Sequence, residues 1–287
     1  MPIPEADKKS NQEAEDRLTS EERKAPKISL TVMPVGFVPP PIIYIDKAGM
    51  PREKYRNPLE YAPVVFHVKT EKSSIRLLAG PNNLGVAQFV PKREIITIYK
   101  EAQLDEDADP SDVKRGPRLI ELGTVRVPRT MTHGIVVVSK DPASKYWRNL
   151  KLKLIDVSPS ASKSGEVKVV NMSTSPLGIG QRGKYQGFRA ATISKHVLNP
   201  SKNGATYYTL AAGTGDGWKQ VSETGMRVRS QEQIIFLAWA VPRSKVIPTG
   251  TEITTLRYRA QELPRPVGKR ARSGRATKPG GKQPDAQ

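Results

Sequence analysis

Several groups of residues in this chain have types and spacings that chemistry uses. In LGIGQRGKYQGF, residues 177–188, Gly178, Gly180 and Gly183 make the spacing GxGxxG, which in nucleotide-binding proteins lets the backbone approach a phosphate. A dinucleotide fingerprint also needs a strand running straight into the glycines and a helix opening at the third. Here STSP intervenes after the preceding strand-like segment, and KYQGFRAATIS beyond Gly183 reads as another strand. A kinase-type loop would lead to a lysine in a VAIK-like context, and a P-loop would end in GK[ST], whereas Tyr185 follows Lys184. The glycines are therefore expected in a hairpin connection, where glycine adopts positive φ without steric cost.

The stretch DEDADPSD offers Asp105, Asp107 and Asp109, followed by Asp112, as oxygen ligands of the kind a hard cation takes. An EF-hand loop counted from Asp105 would need glycine at its sixth place and glutamate at its twelfth, and those places hold Pro110 and Gly116. A looser cation loop at Asp105, Asp107 and Asp109 competes with a solvated acidic loop opposing a basic face. The histidines, His67, His133 and His196, show neither HExxH nor HxH spacing, so a zinc site carries no local signature. No GxSxG elbow is present, and a carboxylate pair for glycoside hydrolysis is set by the fold and not by spacing. Trp239 is expected in the core, whereas Trp218, and Tyr146 with Trp147, are candidate binding surfaces. At the other end, KRARSGRATK clusters Lys269, Arg270, Arg272, Arg275 and Lys278 without an acid. Five cations so placed can neutralise several phosphates and give salt-dependent binding to nucleic acid or another polyanion. A sequon, NMS, begins at Asn171.

The elements that position these groups are strands. Only 6% of the 287 residues are aromatic, while Val and Ile recur through the middle of the chain, where branching at Cβ suits a pleated surface. Twenty-five prolines and 22 glycines imply many tight connections. PVVFHVKT places Val64, Phe66 and Val68 opposite Val65, His67 and Lys69. EIITIYKE repeats the alternation, and LKLKLIDV sets Leu150, Leu152 and Leu154 against Lys151 and Lys153. Period two is the mark of a half-buried strand. QIIFLAWAV is apolar on both faces, as a strand covered on each side should be. The segments ISLTV, PIIYI, RLIELGTVRVP, GIVVVSK, GEVKVVNMS, TYYTLA and TEITTLRYRA continue the pattern, with no convincing amphipathic helix and no repeat at fixed period.

The expected fold is all-β: two antiparallel β-sandwich (Ig-like) lobes over residues 28–157 and 158–262. Residues 158–165, SPSASKSG, read as a linker or long hairpin loop. Residues 1–27 read as a disordered charged leader, with a transient helix in EAEDRLTSEERK as the weighed alternative, and residues 263–287 as a disordered basic tail.

Charge narrows the partners. The formal charge is +19; setting aside the six basic and seven acidic residues of 1–27 and the seven basic and one acidic of 264–287 leaves +14 in between. A surface this basic attracts an anionic polymer or surface, whether nucleic acid, acidic glycan or lipid headgroups, or an acidic protein. The absence of cysteine removes thiol nucleophiles, thiolate metal sites and disulfides. No cofactor is expected. No apolar run approaches 18 residues and none follows a basic start, so the chain as written is expected to carry neither a membrane span nor a signal peptide.

The order PPPIIYIDKAGMPREKY, IRLLAGPNN, FVPKREIITIYKE and LKLKLIDVSPSASKSGEVKVVNMSTSPLGIGQRG resembles a group of uncharacterised secreted or envelope β-proteins of verrucomicrobial and related bacteria. The resemblance covers about residues 28–262 and implies two small sandwich lobes, with GEVKVVNMS opening a strand of the second, and a place at the cell envelope. It implies no activity and no site residues. The chain departs from the group at both ends, with a charged leader where a signal peptide would stand and with the added basic tail. Three functions follow as expectations: a non-catalytic structural or adaptor protein at the envelope, a nucleic-acid-associated coat subunit with a basic arm, and a carboxylate-dependent hydrolase.

Overall fold

The computed structural model describes residues 18–54, 56–102, 118–147, 150–162, 165–181, 184–198, 205–227 and 232–260. Its chain opens with a short helix α1 (Ser20–Lys24), then β1 (Lys27–Val35), β2 (Ile42–Ile45), β3 (Pro51–Lys54), β4 (Val65–Lys69), β5 (Ser74–Leu78), β6 (Gln88–Pro91), β7 (Ile95–Glu101), β8 (Leu119–Arg126), β9 (His133–Ser139) and β10 (Lys151–Asp156). The second half holds β11 (Glu166–Met172), β12 (Leu177–Gln181), β13 (Lys184–Phe188), β14 (Ile193–Val197), β15 (Ala205–Thr214), β16 (Gly217–Arg227), β17 (Glu232–Ala240) and β18 (Thr251–Arg259). The fold is all-β. No helix among the described residues is long and apolar enough to cross a membrane.

Apart from the hairpin β2-β3, the strands make four sheets of four, in the orders β5-β4-β7-β8, β10-β9-β1-β6, β14-β11-β17-β18 and β13-β12-β15-β16. Side-chain alternation shows how they stack. Leu30, Val32, Val136 and Val138 face Phe66, Val68, Leu77 and Ile98 in a first core, and Val169, Ile234 and Phe236 face Ile179, Tyr208 and Leu210 in a third. The opposite faces of the two inner sheets meet in a middle core of Met33, Val35, Ile135, Val137, Ile235 and Leu237, among others. Four layers thus enclose three cores, and β1, β9, β11 and β17 are covered on both sides. Every residue of β9 is buried, as are all but the terminal residues of β17.

Two pairings correct the expectation of wholly antiparallel sandwiches. β1 runs parallel to β9, Ser29 opposite His133, and β11 runs parallel to β17, Val167 opposite Ile234. Parallel pairs occur where both faces are covered, and these four strands are covered on both sides.

The two halves also repeat one another, although the sequence shows no repeat. The inner order β10-β9-β1-β6 maps onto β18-β17-β11-β14, and the outer order β5-β4-β7-β8 onto β13-β12-β15-β16. Even the register irregularity recurs on the equivalent pair, at Ile98/Tyr99 against β8 and at Leu210/Ala211 against β16. The first half differs by the inserted hairpin β2-β3, whose Ile42, Ile43, Tyr44 and Ile45 are all exposed. Its turn is held by Asp46, which accepts from the Ala48 and Met50 N–H groups at 2.9 Å and from Arg52 Nε at 2.8 Å. The Arg52 guanidinium, seconded by the Met50 N–H, holds the Asp46 carboxyl below its usual range.

At the N-terminal side the folded chain starts earlier than residue 28. Leu18 is buried in the first core, and Thr19 and Glu22 close a capping box over α1. The buried Glu22 carboxylate takes the Glu71 N–H and Arg93 Nη2, both at 3.0 Å. A charged segment orders here because its acid has a cation and N–H donors to replace water. The stretch 158–165 is also tied down where it is described. Ser158 is 1% exposed, and its Oγ accepts from the Thr132 N–H at 2.8 Å. Gln233 on β17 donates to the carbonyls of Val157 and Ser158 at 2.8 and 2.7 Å, and accepts from Lys168 Nζ at 3.1 Å. Lys168 Nζ also reaches Ala161 O at 3.4 Å and Ser162 Oγ, so its three protons have three acceptors. Burial pulls the Lys168 amine below its ordinary value, and the Asp156 carboxylate partly restores it.

Because the middle core joins the halves, denaturant should unfold them together. Gln233→Ala strips partners from two buried carbonyls and the buried Lys168, and should lower stability by about 1–3 kcal/mol. One shifted transition, coincident by fluorescence and circular dichroism, is expected. A transition split in two would contradict the shared core.

Candidate functional site

Gly178 and Gly180 lie inside strand β12, not in a turn, which corrects the expected hairpin connection; Gly183 falls outside the described residues. On the outer face of β13-β12-β15-β16 the register lines up rows. Tyr185, Gly180, Thr209 and Glu223 form one, and Gly187, Gly178, Ala211 and Gln220 the next. Trp218, opposite Gly213, lies back over the second row. A Cβ at Gly178 would meet Trp218 Cε3 at 2.6 Å, and one at Gly187 would meet its Cζ2 at 3.2 Å. A Cβ at Gly180 would meet Tyr185 Cε1 at 2.7 Å, and one at Gly225 would meet Tyr207 Cε1 at 2.7 Å. Tyr185 and Tyr207 thus rest on a glycine of the neighbouring strand and Trp218 reaches across β15 to Gly178 and Gly187, the arrangement by which aromatics compensate for glycine in a sheet.

The result is a platform. Tyr185 and Trp218 have ring centroids 6.0 Å apart and planes within 16°. Their inner faces lie on the glycines, and they remain 39% and 41% exposed, with Tyr207 at 73%. Beneath them Ile179, Tyr208 and Leu210 pack into the third core, so the floor is rigid. Trp218, a candidate binding surface, lies exposed on this platform. Trp147 is not part of one: it is 2% exposed, and its backbone N–H donates to Leu59 O at 2.9 Å. Trp239 is core, as expected, within the middle layer.

The remaining candidates are dispersed. His67, His133 and His196 sit in the first outer sheet, the first inner sheet and the second inner sheet respectively. No group of three His, Asp or Glu that could hold a metal occurs among the described residues. Asp105, Asp107 and Asp109 lie outside those residues, as do Lys269, Arg270, Arg272, Arg275 and Lys278. Asn171 of the sequon is fully buried, and its amide donates to Ser175 O at 2.9 Å and Arg189 O at 3.2 Å, a staple and not a glycan acceptor in the folded chain.

One trio that sequence reasoning missed has the connectivity of a nucleophile, base and orienting acid. His67 Nδ1 is 3.0 Å from Ser74 Oγ, and Nε2 is 2.8 Å from Glu101 Oε1. Ser74 lies seven residues from His67 and Glu101 lies 34 from it; the three carry no motif, and the pairing of β4 with β5 and β7 unites them. The ring itself is 2% exposed, which gives a leaving group no approach to its Nδ1 and makes the trio a polar clamp across the sheet. A shallow groove lined by Lys69, Glu71, Lys72 and Leu119 adjoins Ser74.

No family model matches the chain, and no curated protein matches it.

His196 joins the edges of the second sandwich. Its Nδ1 is 2.8 Å from Gln186 Oε1, and its ring stands edge-on to Phe188 and Tyr208. Its Nε2 is buried without a partner among the described residues. Burial lowers its proton affinity from the ordinary value of 6.5, since a charged ring would leave Nε2–H unpaired. A depressed folded value means that the unfolded chain binds more protons in this window. The stabilising contribution is therefore complete above pH 6.5 and is lost as pH falls toward the folded value. Denaturation midpoints should fall between pH 7 and 5 more steeply for the wild type than for His196→Leu. Equal slopes would refute the assignment.

Proposed function

We propose that this chain is a non-catalytic β-sandwich protein, structural or adaptor-like, whose basic surface and tail hold it to an anionic partner at the cell envelope. The observation that carries the reading is the cation excess left after internal pairing. Among the described residues, seven carboxylates already have cations of the protein's own: Glu22 with Arg93, Asp46 with Arg52, Glu60 with Lys145, Glu94 with Arg126, Glu101 with Arg76, Glu166 with Lys195 and Glu232 with Arg257. Lys47, Lys72, Lys184, Lys219, Arg243 and Lys245 are exposed. Such pairs contribute little to stability at the surface, but they leave the net positive field unopposed, and that field draws in polyanions over a Debye length. The envelope placement rests on the resemblance of the segment order.

A nucleic-acid-associated coat subunit is the second reading, favoured by the tail cations Lys269, Arg270, Arg272, Arg275 and Lys278.

Affinity for a sulfated glycan and for duplex DNA, measured against salt with and without residues 264–287, separates the two. Under the main reading both chains retain salt-sensitive binding to the glycan. If deletion removes all polyanion binding, the tail alone is the site and the coat reading gains. For DNA, each phosphate that the shortened chain no longer neutralises flattens the slope of log K against log salt by about 0.9. Binding that is undiminished at high salt would refute both electrostatic readings.

A further inference from the structure

We infer that the outer face of β13-β12-β15-β16 is a second binding site, one that takes an uncharged polysaccharide by stacking its sugar rings on Trp218 and Tyr185. The inference goes beyond the anionic partner, because the interactions involved owe nothing to the protein's net charge.

The shape comes first. Two rings whose planes agree within 16° and whose centroids are 6.0 Å apart tile a flat surface, with Tyr207 alongside on its own glycine. A small ligand seeks a concavity that buries most of its surface. A flat tile instead suits a chain of flat units. Both aromatic rings offer an electron-rich face outward, and the complement of such a face is a set of polarised C–H bonds, as on the face of a pyranose.

Charge then selects among flat units. Among the outward register positions of these four strands, Thr209, Gln220 and Glu223 share the rows of the two rings, and Arg227, opposite Ala205, stands beyond Tyr207 at the end of β16. Proteins that stack nucleobases on aromatics surround them with cations that follow the phosphates. Here the rows of the rings carry one outward charge, the Glu223 carboxylate, and no track of cations; that carboxylate repels phosphate, sulfate and uronate alike and accepts hydrogen bonds from hydroxyl groups. A neutral glycan satisfies both requirements, since its ring faces stack and its hydroxyls donate to Glu223 and exchange hydrogen bonds with Gln220 and Thr209.

A protein partner fits less well. A stable protein interface buries about 800 Å² on each side around an apolar centre. Apart from Val221 at the register irregularity, the outward positions hold no aliphatic side chain larger than Ala211 among the described residues.

The test uses the full chain in high salt, where polyanion binding is screened, against insoluble cellulose, chitin, mannan and starch, with poly(dT) and chondroitin sulfate as comparators. Retention on at least one neutral polysaccharide is expected. Trp218→Ala should weaken it about tenfold, measured where the variant remains folded, with low-salt binding to chondroitin sulfate unchanged. Gly178→Ala, which forces the indole off its floor while keeping it in the chain, should weaken it in the same direction. Failure to bind any of the four neutral polymers, or binding indifferent to Trp218→Ala, would overturn the inference and leave the anionic reading standing. Retention of poly(dT) in high salt, abolished in Trp218→Ala, would assign the platform to nucleobases and overturn it likewise.

Discussion

Everything in this fold depends on the burial of two sheets on both their faces. A sheet with one wet face advertises itself by alternating residues, but β1, β9, β11 and β17 alternate between two apolar layers. Met33, Ile135 and Leu237 turn into the middle core, while Leu30, Val136 and Phe236 turn the other way. Removal of this apolar area from water is the dominant favourable contribution to folding, and it is made by strands of both halves at once. The halves are therefore bound by a core of the same character as their own interiors, unlike lobes on a linker. The polar cluster of Lys168, Gln233 and Ser158 closes one end of that junction and fixes the path of the connection.

With the inner sheets so engaged, only the outer sheets have a face free for recognition. The two outer faces have diverged within one topology. The first carries the clamp of Ser74, His67 and Glu101, which stiffens its strand ends. The second carries aromatic rings laid over Gly178, Gly180, Gly187 and Gly225. Glycine inside a strand ordinarily weakens it. Here the ring above each glycine supplies the packing that the missing side chain would have made and keeps its other side open to solvent, so a cost in strand propensity becomes a flat exposed surface.

Much of the architecture was legible in the sequence, and the exceptions share a cause. Alternation in LKLKLIDV and the two-faced apolar run QIIFLAWAV are local patterns, and both strands form as read, Leu152 and Leu154 against the first core and Phe236 inside the third. The parallel pairing of Ser29 with His133, the repeat of strand order and the contact of His67 with Glu101 are relations between distant segments, which no local period records. The short strands β5, β6 and β12 escaped because SIRLL, QFVP and LGIGQ are too brief or too glycine-rich to show a period. Of the site, the residue type was legible and the arrangement was not. Trp218 was a candidate from its identity alone, but its floor of glycines depends on cross-strand register, and GxGxxG in sequence points to phosphate unless that register is known.

The three tryptophans offer the most direct measurement. Trp147 and Trp239 are 2% and 4% exposed, in the interior, whereas Trp218 lies open on the outer sheet. Their indole N–H signals in a ¹⁵N-labelled chain, titrated with neutral oligosaccharides in high salt, report each layer separately. The account predicts that Trp218 shifts while Trp147 and Trp239 stay fixed. A shift of Trp239, or no shift of Trp218 with any neutral oligosaccharide, would contradict it.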